Sequence, residues 1–73
     1  MAYQGRVQWG DTVRWRDAFT QRYLEGVVVR CARDGAWADV RYPHVGAVLE
    51  DLTYLTQRVR VTKLHIVRKA GES

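Results

Sequence analysis

Between Ala36 and Tyr42 the chain alternates strictly, with Ala36, Ala38, Val40 and Tyr42 on one parity and Trp37, Asp39 and Arg41 on the other. A period of two belongs to a strand with one packed and one wet face. The small apolar set therefore faces inward, leaving an indole and a guanidinium outside. A ring beside a guanidinium is suited to stack a nucleobase and neutralise the adjoining phosphate. Arg58 and Arg60 alternate in the same way with Val59 and Val61, and Arg14 and Arg16 with Val13 and Trp15. Trp37, Arg41, Arg58, Arg60, Arg14 and Arg16 are the candidate nucleic-acid-contacting residues. Charges at alternate strand positions are also how any half-buried sheet meets water, so the pattern defines candidates and not yet a site.

A second set of side chains has a different chemistry. Trp15, Phe19 and Tyr23 lie in or beside one loop, and Tyr42 ends the alternating strand. If the four rings converged at one end of the domain, they would form an aromatic pocket for a methylated ammonium or a partner's arginine, with Asp17 as its acidic companion. Core packing is the competing use of such rings. Metal and nucleophilic chemistry find little support. His44 and His65 have no Cys or carboxylate at ligand spacing, and Cys31 falls in an apolar strand, where packing is the usual role. A phosphate-cradling glycine loop and a nucleophile elbow are both missing. The expectation is a non-enzymatic domain without cofactor or metal.

The balance of charge fits that reading. Twelve basic and eight acidic residues give +4, and all the basic residues but Lys63 and Lys69 are arginine. Arginine offers a planar fork for phosphate or carboxylate and stacks on rings. A GC-rich genome gives the same bias. Nucleic acid and a larger protein partner are thus the two partner classes to weigh. The single cysteine, with no leader-like apolar segment near Met1, implies a reducing, cytoplasmic setting. Nothing approaches the roughly 20 apolar residues of a membrane span.

Seventy-three residues allow one small core. Residues 1–8 read as a lead-in, 9–69 as the folded domain and 70–73 as a fraying tail. Strands are expected at 11–16, 27–32, 36–42 and 57–62, and a last one at 65–68 after a single 3₁₀ turn at 62–64. Residues 17–24 read as a loop. Arg33-Asp34-Gly35 signals a tight hairpin turn, because Asp-Gly readily supplies a positive φ. Pro43 should end the third strand. Val48, Leu52 and Leu55 have helical spacing, so residues 43–57 read as a loop or partly helical insertion. An exposed insertion of that kind would be a route to self-association or to a protein partner.

Three pieces of the chain resemble the SH3-like small β-barrel class that includes Tudor and KOW domains. They are Gly10-Asp11-x-Val13, Gly26-Val27-Val28-Val29 and Val59-x-Val61-x-x-Leu64-x-Ile66-Val67. The resemblance spans residues 9–68 and implies one barrel of about five short antiparallel strands. Two departures stand beside it: only two lysines where KOW motifs are lysine-rich, and a 43–57 segment longer than a minimal Tudor domain needs.

Overall fold

The computed structural model describes residues 6–45 and 52–71. Five strands and one 3₁₀ turn follow in order: β1 Thr12–Arg16, β2 Tyr23–Cys31, β3 Trp37–Val45, β4 Leu52–Arg60, the turn Val61–Lys63, and β5 His65–Arg68. They form one antiparallel sheet in the order β4-β3-β2-β1-β5. The domain is mostly β, as the alternations predict.

The inward parity holds. Val13, Trp15, Val28, Ala38, Val40 and Val59 form the buried core, with Leu24, Tyr42, Leu64 and Ile66 packed around it. Trp15, at 1% exposure, is its largest member and meets Tyr42 edge-on with ring centroids 5.5 Å apart. Burying an indole removes roughly 200 Å² from water, worth about 5 kcal/mol, so this one ring supplies much of a small domain's core.

Two register shifts curl the sheet and explain exposures that strict alternation does not. In β2 the pairing passes from Val28↔Val40 to Arg30↔Asp39, leaving Val29 as an extra residue. In β5 it passes from Ile66↔Val13 to Arg68↔Thr12, which leaves Val67 over. Each bulge bends its strand and turns the extra valine outward, and both valines are exposed. Had β2 kept its period past Val28, Arg30 would enter the core. The bulge sends Arg30 outside and brings Cys31 in.

Several expectations are corrected here. Residues 23–26 belong to β2, not to a loop, because Arg16↔Tyr23 and Arg14↔Glu25 pair across the β1–β2 ladder. Trp9 lies in a turn and is 73% exposed, out of step with Val13 and Trp15. The 3₁₀ turn begins at Val61, one residue early. The largest correction concerns residues 43–57. Among the described residues no helix forms there: β3 runs through Pro43 to Val45, and β4 starts at Leu52. Residues 46–51 lie outside the described residues. Pro43 is accommodated by the direction of its backbone. The bond from Val61 N–H to the Ala36 carbonyl (3.1 Å) makes Ala36 and Val61 a hydrogen-bonded pair. Alternation along the unbroken register then makes Pro43↔Tyr54 a non-hydrogen-bonded one. The donor that proline lacks would point to the β2 side, and β2 pairs with β3 only as far as Val27↔Arg41.

Two glycines are required by geometry. Gly35 takes φ +77° in the Ala32–Gly35 turn, closed by its N–H on the Ala32 carbonyl at 3.0 Å. Gly26 lies where β2 crosses close to β3. A Cβ there would collide with the Arg41 carbonyl oxygen and lie 2.8 Å from Val40 Cγ1.

The chain ends are tied by Asp11, whose side chain is fully buried. Its carboxylate accepts from Gln8 N–H at 2.8 Å, Ala70 N–H at 2.9 Å and Lys69 Nζ at 2.7 Å. Lys69 Nζ also donates to the Arg6 carbonyl at 2.9 Å. Asp11's own carbonyl takes the Val28 N–H. Ala70, expected to fray, is held in this knot, as are residues 6–8 of the lead-in. Burial pushes the Asp11 carboxyl upward, but the bonds from Lys69, Ala70 and Gln8, with the Lys69 charge, outweigh it and hold its pKa below 3.8.

Two predictions follow from this packing. Gly26→Ala forces a backbone shift in β2 or β3 and should lower unfolding free energy by about 2 kcal/mol or more in urea titration. Asp11→Asn should cost about 2–4 kcal/mol, somewhat less than breaking a fully buried pair, because Lys69 keeps some solvent contact. A depressed carboxyl pKa stabilises the fold above the unfolded value and loses that contribution as pH falls through the folded one. Stability should therefore decline below about pH 3.8, and Asp11→Asn should flatten that acid limb, with the residual slope coming in part from Asp17, held low by the Thr20 N–H and hydroxyl.

Candidate functional site

The outward positions of β3 and β4 form a ladder: Trp37↔Arg60, Asp39↔Arg58, Arg41↔Thr56 and Pro43↔Tyr54. Side chains couple along its diagonals. The Arg58 guanidinium lies over the Trp37 ring, 3.7 Å from the centroid, and its Nε donates to Asp39 Oδ1 at 3.1 Å. Arg41 covers Tyr54 in the same manner at 4.5 Å. Such exposed stacks are worth about 0.5–1 kcal/mol each, enough to hold a ring in one orientation without tying down the face. The Arg58–Asp39 ion pair adds little in so wet a place.

Trp37 is half-buried, in accord with its outward parity. With Ala36, Arg58 and Arg60 it lines an open groove of about 500 Å³. Next along the sheet, Arg41 and Tyr54 join Val27 and Val29 around a shallower depression of about 390 Å³. Four of the six candidate contact residues, Trp37, Arg41, Arg58 and Arg60, thus share the outer face of one hairpin. The other two do not join them. Arg14 sits on β1 between Glu25 and His65 in register. Arg16 donates from Nε to the Gln21 carbonyl at 3.3 Å and lines a separate hollow with Asp17, Tyr23, Lys63 and His65. Strands β1 and β3 are two steps apart, roughly 10 Å.

The four rings proposed as an aromatic pocket do not converge. Trp15 is core at 1% exposure, whereas Phe19, in the 17–22 turn, is 96% exposed. Tyr42 is engaged with Trp15. Tyr23 and Tyr42 do meet at a cleft of about 530 Å³ where β2 parts from β3, but its other lining residues include Arg41, Tyr54 and Arg68. Parity alone cannot bring rings from a loop and a core strand to one wall.

Tyr54 and Arg68 are the residues that the sequence reading left out of the contact set. Tyr54 was hidden by the helical spacing of Val48, Leu52 and Leu55. The alternation Thr53-Tyr54-Leu55-Thr56, rich in β-formers, carries the strand signal there. Arg68 is aligned with Arg41 across the sheet through the row Arg41–Val27–Thr12–Arg68.

Cys31 and the histidines add no reactive cluster. Among the described residues no group of three His, Cys, Asp or Glu could hold a metal ion. The Cys31 thiol donates to the Val7 carbonyl at 3.4 Å. Burial, then the nearby Asp11 carboxylate, raises its pKa above the ordinary thiol value, with Lys69 opposing. No helix among the described residues is long and apolar enough to cross a membrane. Comparison with known proteins finds no family model, curated protein or solved structure that matches this chain.

Because only the thiolate reacts with alkylating agents, Cys31 should react with iodoacetamide at neutral pH at least about tenfold more slowly in the native protein than in urea. Equal rates in the two states would show that the thiol is neither buried nor raised.

Proposed function

We propose that this domain is a non-enzymatic binding module of the SH3-like barrel class, and that it contacts nucleic acid through the outer face of the β3–β4 hairpin. The strand order β4-β3-β2-β1-β5, with a 3₁₀ turn leading into the last strand, supports the class. The observation that carries the functional reading is the groove shared by Trp37, Arg58 and Arg60.

Within that groove the arginines divide the work. Arg58 is occupied by Asp39 and by the indole, so it orients Trp37. Arg60 and Arg41 carry the charge that phosphates meet, and Arg68 extends it across the sheet. Trp37 and Tyr54 supply faces on which bases stack, a contact that tolerates any sequence because every base has a π-face. A net charge of +4 adds weak long-range attraction.

Titrating labelled oligonucleotides across a salt series tests the reading. Binding should weaken linearly in log–log form as salt rises. Arg60→Ala and Arg41→Ala should each weaken all sequences alike and reduce the salt slope by about one. Trp37→Ala should cost about 1–3 kcal/mol with the slope unchanged. No binding at low salt, or binding indifferent to salt, would overturn the proposal.

A further inference from the structure

The two edges of the sheet are built differently. β5 has four residues, a bulge at Val67 and a basic end at Arg68, devices that discourage another strand from adding. β4 has none of them over most of its length. It is nine residues long, pairs with β3 without a register shift, and contains neither proline nor lysine. No described strand lies beyond it. By the alternation fixed at Ala36↔Val61, the N–H groups of Tyr54, Thr56 and Arg58 point away from β3, along an open edge.

The hairpin also outruns its support. β2 leaves β3 at Val27↔Arg41, so Tyr42–Val45 and Leu52–Leu55 pair only with each other. A two-stranded ribbon is marginal in water unless a third strand or a packed face joins it. Adjacent residues Tyr54 and Leu55, 52% and 41% exposed, turn apolar surface to its two opposite faces.

We propose that the β4 edge is a self-recognition surface, on which a second copy of this chain adds its own β4 antiparallel about a two-fold axis near Leu55–Thr56. Charge selects this occupant. Residues 42–45 and 52–57 contain no Asp, Glu, Lys or Arg, in a chain that is 27% charged and carries +4. Two like-charged copies can meet closely only where neither bears a charge. Nucleic acid or an acidic segment would find no cation to meet there. The antiparallel two-fold arrangement also sends Arg58 and Arg60 of each copy to opposite ends, where they face the partner's uncharged half. Parallel addition would stack each arginine against its own twin. Pairing would complete the backbone bonds of both edges and make one continuous sheet, its two arginine–aromatic faces side by side.

Sedimentation equilibrium of the full chain, from micromolar to millimolar concentration, tests this. A monomer–dimer equilibrium is expected, tightening as salt screens the net charge, the reverse of the salt response of nucleic-acid binding. Thr56→Lys puts a charge at the axis and Thr56→Pro removes an outward donor while sparing the β3 ladder. Each should raise the dissociation constant about tenfold or more. Thr62→Lys, which adds the same charge at an exposed site away from β4, should leave it within about twofold. Circular dichroism of each variant confirms the fold before comparison. A chain that stays monomeric throughout, or a dimer indifferent to both Thr56 substitutions, would overturn the proposal.

Discussion

One carboxylate with no access to water holds the two ends of this chain against the sheet. Asp11 gathers the Gln8 and Ala70 amides and the Lys69 ammonium within 2.9 Å, while its backbone engages Val28 in β2. An ionised group in that position is costly unless every lone pair finds a donor. The fold meets that condition by drawing residues from both termini into one knot. β1 and β5 are thereby set side by side, and the core beneath them is closed at one end.

From that knot the sheet curls by local irregularity. A core of six fully buried side chains cannot be covered by a flat sheet of this size. The bulges at Val29 and Val67 and the close crossing at Gly26 bend the strands around Trp15. Each device has a cost, either an exposed valine or a position confined to glycine. The return is a strand phase that puts Arg30 in water and Cys31 against the core.

The outer face follows the same economy of parts. Arginine is the commonest charged residue of this chain, and its planar cation both stacks on a ring and bonds a carboxylate. Arg58 does both at once, so the indole it covers is oriented without being buried. Arg41 repeats the arrangement on Tyr54. The two stacks lie on one hairpin because β3 and β4 pair without a register shift over nine residues. Arg14 and Arg16 had the same parity signal and lie elsewhere, since parity names a face and not a neighbour.

What the sequence determined by itself was local: the alternations that make Ala38, Val40 and Val59 core and Trp37, Arg41 and Arg60 surface, the Asp34-Gly35 turn, and the last strand at 65–68. These depend on side-chain period and on backbone conformations available to single residues, both written within a few positions. What only the tertiary structure decided was long-range. Asp11 meets Lys69 across fifty-eight positions, and no pattern near either residue announces the other. Residues 43–57 read as a helical or irregular insertion because Val48, Leu52 and Leu55 carry helical spacing and Pro43 carries a stop. β3 overrides both, offering Leu52–Arg60 a complete ladder and leaving proline's missing donor on a side where no strand remains to need it.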